Sequence, residues 1–71
     1  MATPVTVPMV GKILAVNVKA GDQVNENDQV ATLEAMKMEM PVVAPVSGTV
    51  KEVNINPGDE VTSDTVLMVI E

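Results

Sequence analysis

Lys37 stands apart among the reactive side chains of this sequence, bracketed by Met36 and Met38 and preceded at three residues by Glu34. A lysine amine that has shed its proton is a nucleophile toward activated carboxyl groups, and the product is a stable amide. Little else in the chain can do covalent work. There is no histidine, which removes the commonest general base and metal ligand together. There is no cysteine, so thiol chemistry, disulfides and Cys-based zinc sites are excluded. Asp22 and Asp59 look like a symmetric carboxylate pair, but each follows a glycine in a Gly-Asp turn signal. Such aspartates bond neighbouring backbone amides. A free-standing enzyme lacks its parts here, whereas an attachment point does not.

The elements that must position Lys37 emerge from an internal repeat. Gly21-Asp22-Gln23-Val24 recurs as Gly58-Asp59-Glu60-Val61, 37 residues on. The same offset, without a gap, lays residues 1–34 over 38–71 with eleven identities: Met1, Pro4, Val5, Pro8, Gly11, Val16, Asn17, Gly21, Asp22, Val24 and Glu34 find twins. Apolar positions repeat as well, in Ile13/Val50, Val18/Ile55, Val30/Leu67 and Leu33/Ile70. Each half reads as short strands, over 5–7, 12–18 and 29–33 in the first and 42–44, 49–55 and 66–70 in the second. Turns are expected at 19–22 and 56–59, with tighter breaks at Val10-Gly11 and Ser47-Gly48. One half cannot bury its apolar face alone, but two related by a pseudo-twofold axis can close a sandwich.

Three residues have no twin: Ala35, Met36 and Lys37, at the joint between the halves. Lys12, Lys19 and Lys51 all fall inside a half. Local propensity gives the joint an ambiguous reading. Residues 33–40 are all good helix formers and predict two turns of helix ended by Pro41. So short a helix is marginal alone, and strand-like segments flank it. A hairpin would instead place Met36-Lys37 where Asn-Gly or Asp-Gly is preferred. Local conflict of that kind marks functional sites.

Bulk composition bounds the partners. At 71 residues the chain holds one small core, and its apolar content of 46% is mostly Val with some Leu, Ile and Met. The absence of Phe, Tyr and Trp leaves nothing to stack on a base or a sugar. A formal charge of −6 argues against nucleic acid and acidic membrane surfaces. No apolar run is long enough for a membrane span, and the N-terminus lacks a signal-peptide pattern.

Glu34-Ala35-Met36-Lys37-Met38 resembles the attachment motif of biotin-dependent carboxylases, decarboxylases and transcarboxylases, whose central lysine bears biotin. Pro8-Met9-Val10-Gly11 and Gly21-Asp22-Gln23-Val24 resemble that family's first half. Residues 44–50 (Ala-Pro-Val-Ser-Gly-Thr-Val) and Gly58-Asp59-Glu60-Val61 resemble its second, so the resemblance covers nearly the whole chain. It implies an all-β fold: a flattened barrel of two four-stranded antiparallel sheets with pseudo-twofold symmetry, residues 1–71 forming a single biotinyl carrier domain. It also implies that Lys37 sits on a tight hairpin between the halves, which overrules the helical reading. Lipoyl domains share the fold but usually carry an acidic residue before their lysine; Met36 in that position favours biotin. An unmodified structural domain with this barrel would not need the Glu34-to-Met38 motif. The gap-free offset also leaves no room for the loop inserted in the first half of some acetyl-CoA carboxylase carriers.

The function this resemblance implies is non-catalytic. Lys37 carries covalent biotin and shuttles a carboxyl group between a biotin carboxylase and a carboxyltransferase or decarboxylase. Glu34, Ala35, Met36 and Met38 form the recognition motif around it, and a biotin–protein ligase loads it through an activated adenylate. Amide formation would take the formal charge from −6 to −7. Glu34 has two readings, a contact for the ligase or an ion pair with Lys37. The setting implied is cytoplasmic, at the cytoplasmic face where the parent is a membrane-bound decarboxylase complex.

Overall fold

The computed structural model describes residues 2–71 and contains eight strands and, among those residues, no helix. They are β1 (Thr3–Val5), β2 (Gly11–Val16), β3 (Gln23–Val24), β4 (Gln29–Ala35), β5 (Met38–Val43), β6 (Gly48–Val53), β7 (Glu60–Val61) and β8 (Met68–Ile70). Two four-stranded sheets form, ordered β1-β8-β6-β3 and β5-β4-β2-β7, with every pairing antiparallel. Adding or subtracting 37 residues turns one order into the other. Each sheet therefore takes two strands from each half, and the halves are interlocked rather than stacked.

The register obeys the same operation. Ile13 faces Leu33 as Val50 faces Ile70, and Val16 faces Ala31 as Val53 faces Met68. An irregularity falls between Ile13 and Ala15 in β2 and between Val50 and Glu52 in β6. The bulge leaves Leu14 out of the ladder, so the in–out alternation restarts beyond it. Fourteen of the sixteen buried core residues form seven twin pairs, including Val5/Val42, Val24/Val61 and Ala31/Met68. Neither half supplies a complete core, so the two must fold together.

The glycines act differently from the expectation. Val10-Gly11 and Ser47-Gly48 are not turns: Gly11 and Gly48 open β2 and β6. A Cβ on Gly11 would lie 2.7 Å from the Glu34 carbonyl oxygen and from Leu33 Cδ1; on Gly48 it would lie 2.6 Å from the Glu71 carbonyl oxygen. These positions need a missing side chain because β4 and the chain end pass against them. The turn glycines are Gly21 and Gly58, at φ 98° and 97°. There the Asp22 carboxylate accepts the Lys19 backbone N–H at 3.0 Å, and Asp59 accepts that of Asn56 at 2.9 Å. Both aspartates are turn residues, as their sequence context implied.

Strand extents also shift. β1 ends at Val5 rather than running over 5–7, and β5 starts at Met38 rather than at residue 42. β3 and β7 have two residues each, too few to show any period in the sequence. Val18 is only partly buried although its twin Ile55 is in the core. Pro41, expected to end a helix, lies within β5, and its twin Pro4 lies within β1. Both are edge strands with one pairing neighbour, where a residue lacking an N–H is tolerated.

Candidate functional site

The segment 33–40 forms the end of the β4–β5 hairpin. Leu33 and Ala35 are buried while Glu34 and Met36 are exposed, a spacing of two that only a strand gives. The ladder runs Leu33↔Met40, Glu34↔Glu39 and Ala35↔Met38, leaving Met36 and Lys37 as a two-residue loop. Their φ angles are 54° and 65°. This is the sign pattern of a type I′ turn, the hairpin connection that matches strand twist. L-residues with a Cβ adopt that region at a cost of roughly 1–2 kcal/mol each. The burial of Leu33 and Ala35 offsets it: fully burying a leucine alone is worth about 1.5–3 kcal/mol, a gain of the same size as the strain, and Leu33 is 1% exposed.

The five motif residues do not share one environment. Met36 is 84% exposed and Met38 65%, and Lys37 and Glu34 are exposed as well. Ala35 is buried at 5%. It lies under the loop instead of on the surface a partner would touch, and its small side chain fits the end of the core. Glu34 is not ion-paired with Lys37; among the described residues the ion pair is Lys51–Glu71, at 3.6 Å. Lys37 is thus an amine on a convex tip, with no carboxylate holding it down.

Beside the tip runs a charged row across the sheet, Glu60↔Lys12↔Glu34↔Glu39 from β7 to β5. The row holds three carboxylates to one ammonium, without an ion pair between Lys12 and its neighbours, and Glu34 and Glu39 oppose each other directly. Sequence reasoning singled out Glu34 but missed Glu39, because only the hairpin register reveals that they are neighbours. An apolar groove of about 230 Å³ is lined by Val7, Pro8, Leu33, Met40 and Val42, among others, and Lys37 lies outside it. The geometry suits an amine that a second protein reaches from outside. It does not suit a reaction in a cleft of this chain.

Comparisons with known proteins point the same way. A family model described as "Biotin-requiring enzyme" matches residues 3–70. The glutaconyl-CoA decarboxylase subunit gamma of Acidaminococcus fermentans is 60% identical over 35 residues, which is 49% of this chain and 24% of that protein. The biotin/lipoyl attachment protein of Bacillus subtilis is 50% identical over 36 residues, 51% of this chain and 49% of that protein. The chain thus spans half or less of the length of the curated relatives it matches. Among solved structures, the urea carboxylase of Kluyveromyces lactis superposes with a TM-score of 0.91 at 32% identity, covering 100% of this chain and 6% of that one.

Proposed function

This chain belongs to the family of biotin-requiring enzymes, and from that premise we propose that Lys37 is its point of covalent biotin attachment. The observation that carries the reading is the exposed lysine held at positive φ in a two-residue turn, free of any ion pair among the described residues. The chain fits the group: Lys37 is exposed at the turn, so a ligase can surround it while β4 and β5 hold the backbone. Once attached, biotin supplies a ureido ring that accepts and releases a carboxyl group. The protein's own contribution is position. Ala35 anchors the hairpin in the core, and the Ala35↔Met38 pair closes it.

On this reading residues 1–71 are one carrier domain of a biotin-dependent carboxylase, decarboxylase or transcarboxylase, and the domain itself catalyses nothing. Glu34, Met36 and Met38 form the exposed recognition surface around Lys37, and Ala35 supports it from below. A biotin–protein ligase loads the lysine in the cytoplasm. Biotin carboxylase and carboxyltransferase or decarboxylase subunits then visit it in turn, and tethering keeps the carried group at high effective concentration. No helix among the described residues is long and apolar enough to cross a membrane.

Co-expression with a biotin–protein ligase and biotin, followed by intact mass and streptavidin capture, tests the assignment. The expected result is one biotinyl increment on the parent chain and none on Lys37→Arg. Equal labelling of Lys37→Arg, or a lipoyl increment instead, would refute it.

A further inference from the structure

Oxidative chemistry in this protein is confined to one side-chain type. With no cysteine, tryptophan, tyrosine or histidine, its six methionines are the side chains that peroxides attack readily. The fold sorts the described ones sharply. Met68 is fully buried, and Met9 and Met40 pack against the core. Met36 and Met38 are 84% and 65% exposed, and they are the two sequence neighbours of Lys37. Among the described residues, the most exposed thioethers therefore sit on either side of Lys37.

We propose that Met36 and Met38 are a redox modification site, and that their conversion to sulfoxides closes Lys37 to loading; the second half rests on Lys37 being the attachment point. In each step the thioether sulfur donates a lone pair to one oxygen of a peroxide. The O–O bond breaks, the sulfur is oxidised by two electrons to the sulfoxide, and the remaining oxygen leaves as water or an alcohol after taking up a proton. A methionine sulfoxide reductase reverses the change, returning the thioether and water while a dithiol becomes a disulfide. The product matters because of where it sits. Met36 shares the turn with Lys37, and Met38 closes the ladder opposite Ala35. A partner that encloses Lys37 must cover both side chains. Two flexible apolar groups become two polar S=O groups, each of which loses its water without a donor in an apolar contact. The barrel itself is untouched, since neither side chain belongs to the core.

The test is a graded hydrogen peroxide treatment of the unloaded chain, with peptide mass spectrometry at each dose and ligase-catalysed biotin incorporation as the second readout. Sulfoxide is expected at Met36 and Met38 about tenfold faster than at Met68, whose sulfur is reached only when the fold opens. The loading rate should fall about tenfold in step with that modification, while the far-ultraviolet circular dichroism stays unchanged. Sulfoxide reductase with dithiothreitol should restore it. Oxidation of Met68 as fast as Met36, or loading that survives complete oxidation of both residues, would overturn the proposal alone. Absence of loading before peroxide is added would overturn the attachment reading, and the proposal with it.

Discussion

Replacing Met36-Lys37 by Asn-Gly should make the protein more stable while removing the proposed attachment lysine. Both native residues hold φ in the left-handed region, at 54° and 65°. At about 1–2 kcal/mol each, the gross strain is about 3 kcal/mol. Asn tolerates this region and Gly adopts it freely, but the new glycine adds about 0.5–1 kcal/mol of unfolded-chain entropy. The net gain is about 2 kcal/mol. Little packing is lost, because Met36 is 84% exposed and Lys37 makes no ion pair. For a chain of 71 residues, about 1 kcal/mol moves Tm by about 4–8 °C, so Met36→Asn/Lys37→Gly should melt about 8–16 °C higher. The chain lacks aromatic residues, so circular dichroism or calorimetry is the appropriate probe, with urea unfolding to show an unchanged m value. A Tm that stays within about 2 °C of the parent, or falls, would refute the claim that strain is stored at the tip.

Gly11→Ala and Gly48→Ala should each lose about 1–3 kcal/mol in urea unfolding, because the added methyl meets backbone carbonyls at 2.7 and 2.6 Å that cannot retreat. Asp22→Ala and Asp59→Ala should each cost about 1 kcal/mol, and by nearly equal amounts, since their backbone bonds of 3.0 and 2.9 Å are twins; unequal midpoints would break the symmetry argument. Glu39→Lys should raise stability by about 0.2–1 kcal/mol by replacing a like-charge pair opposite Glu34 with an attractive one, and added salt should erase the gain. Ala35→Leu should lower the thermal midpoint by overpacking the end of the core, at about 1–3 kcal/mol.

Much of this architecture is legible in the residues because it is written twice. The 37-residue offset found in Gly21/Gly58, Pro4/Pro41 and Leu33/Ile70 reappears as matched sheet orders, matched bulges and a paired core. What misleads is local. Leu33 to Met40 has the composition of a helix, and only the demand that Leu33 and Ala35 both face inward turns it into strands. Gly11 and Gly48 look like turns, since a close approach by β4 or by the chain end cannot be seen in one dimension. The Glu34–Glu39 neighbourhood is hidden for the same reason, as it depends on register. At the candidate site, the three residues without twins identify the joint, and the motif then selects Lys37 within it. Nothing in the sequence alone separates buried Ala35 from its four exposed neighbours.

The brevity of the β4–β5 bend decides where freedom of movement lies. With only two residues between paired strands, and the strand before them seated among core side chains, the Cα of Lys37 has no slack. Its amine can sweep only the sphere drawn by four methylenes and whatever is bonded beyond them. Any longer journey has to be made by the barrel travelling as one body. A floppy, glycine-rich tip would have shared that journey between loop and domain, and would have aimed the amine with less certainty.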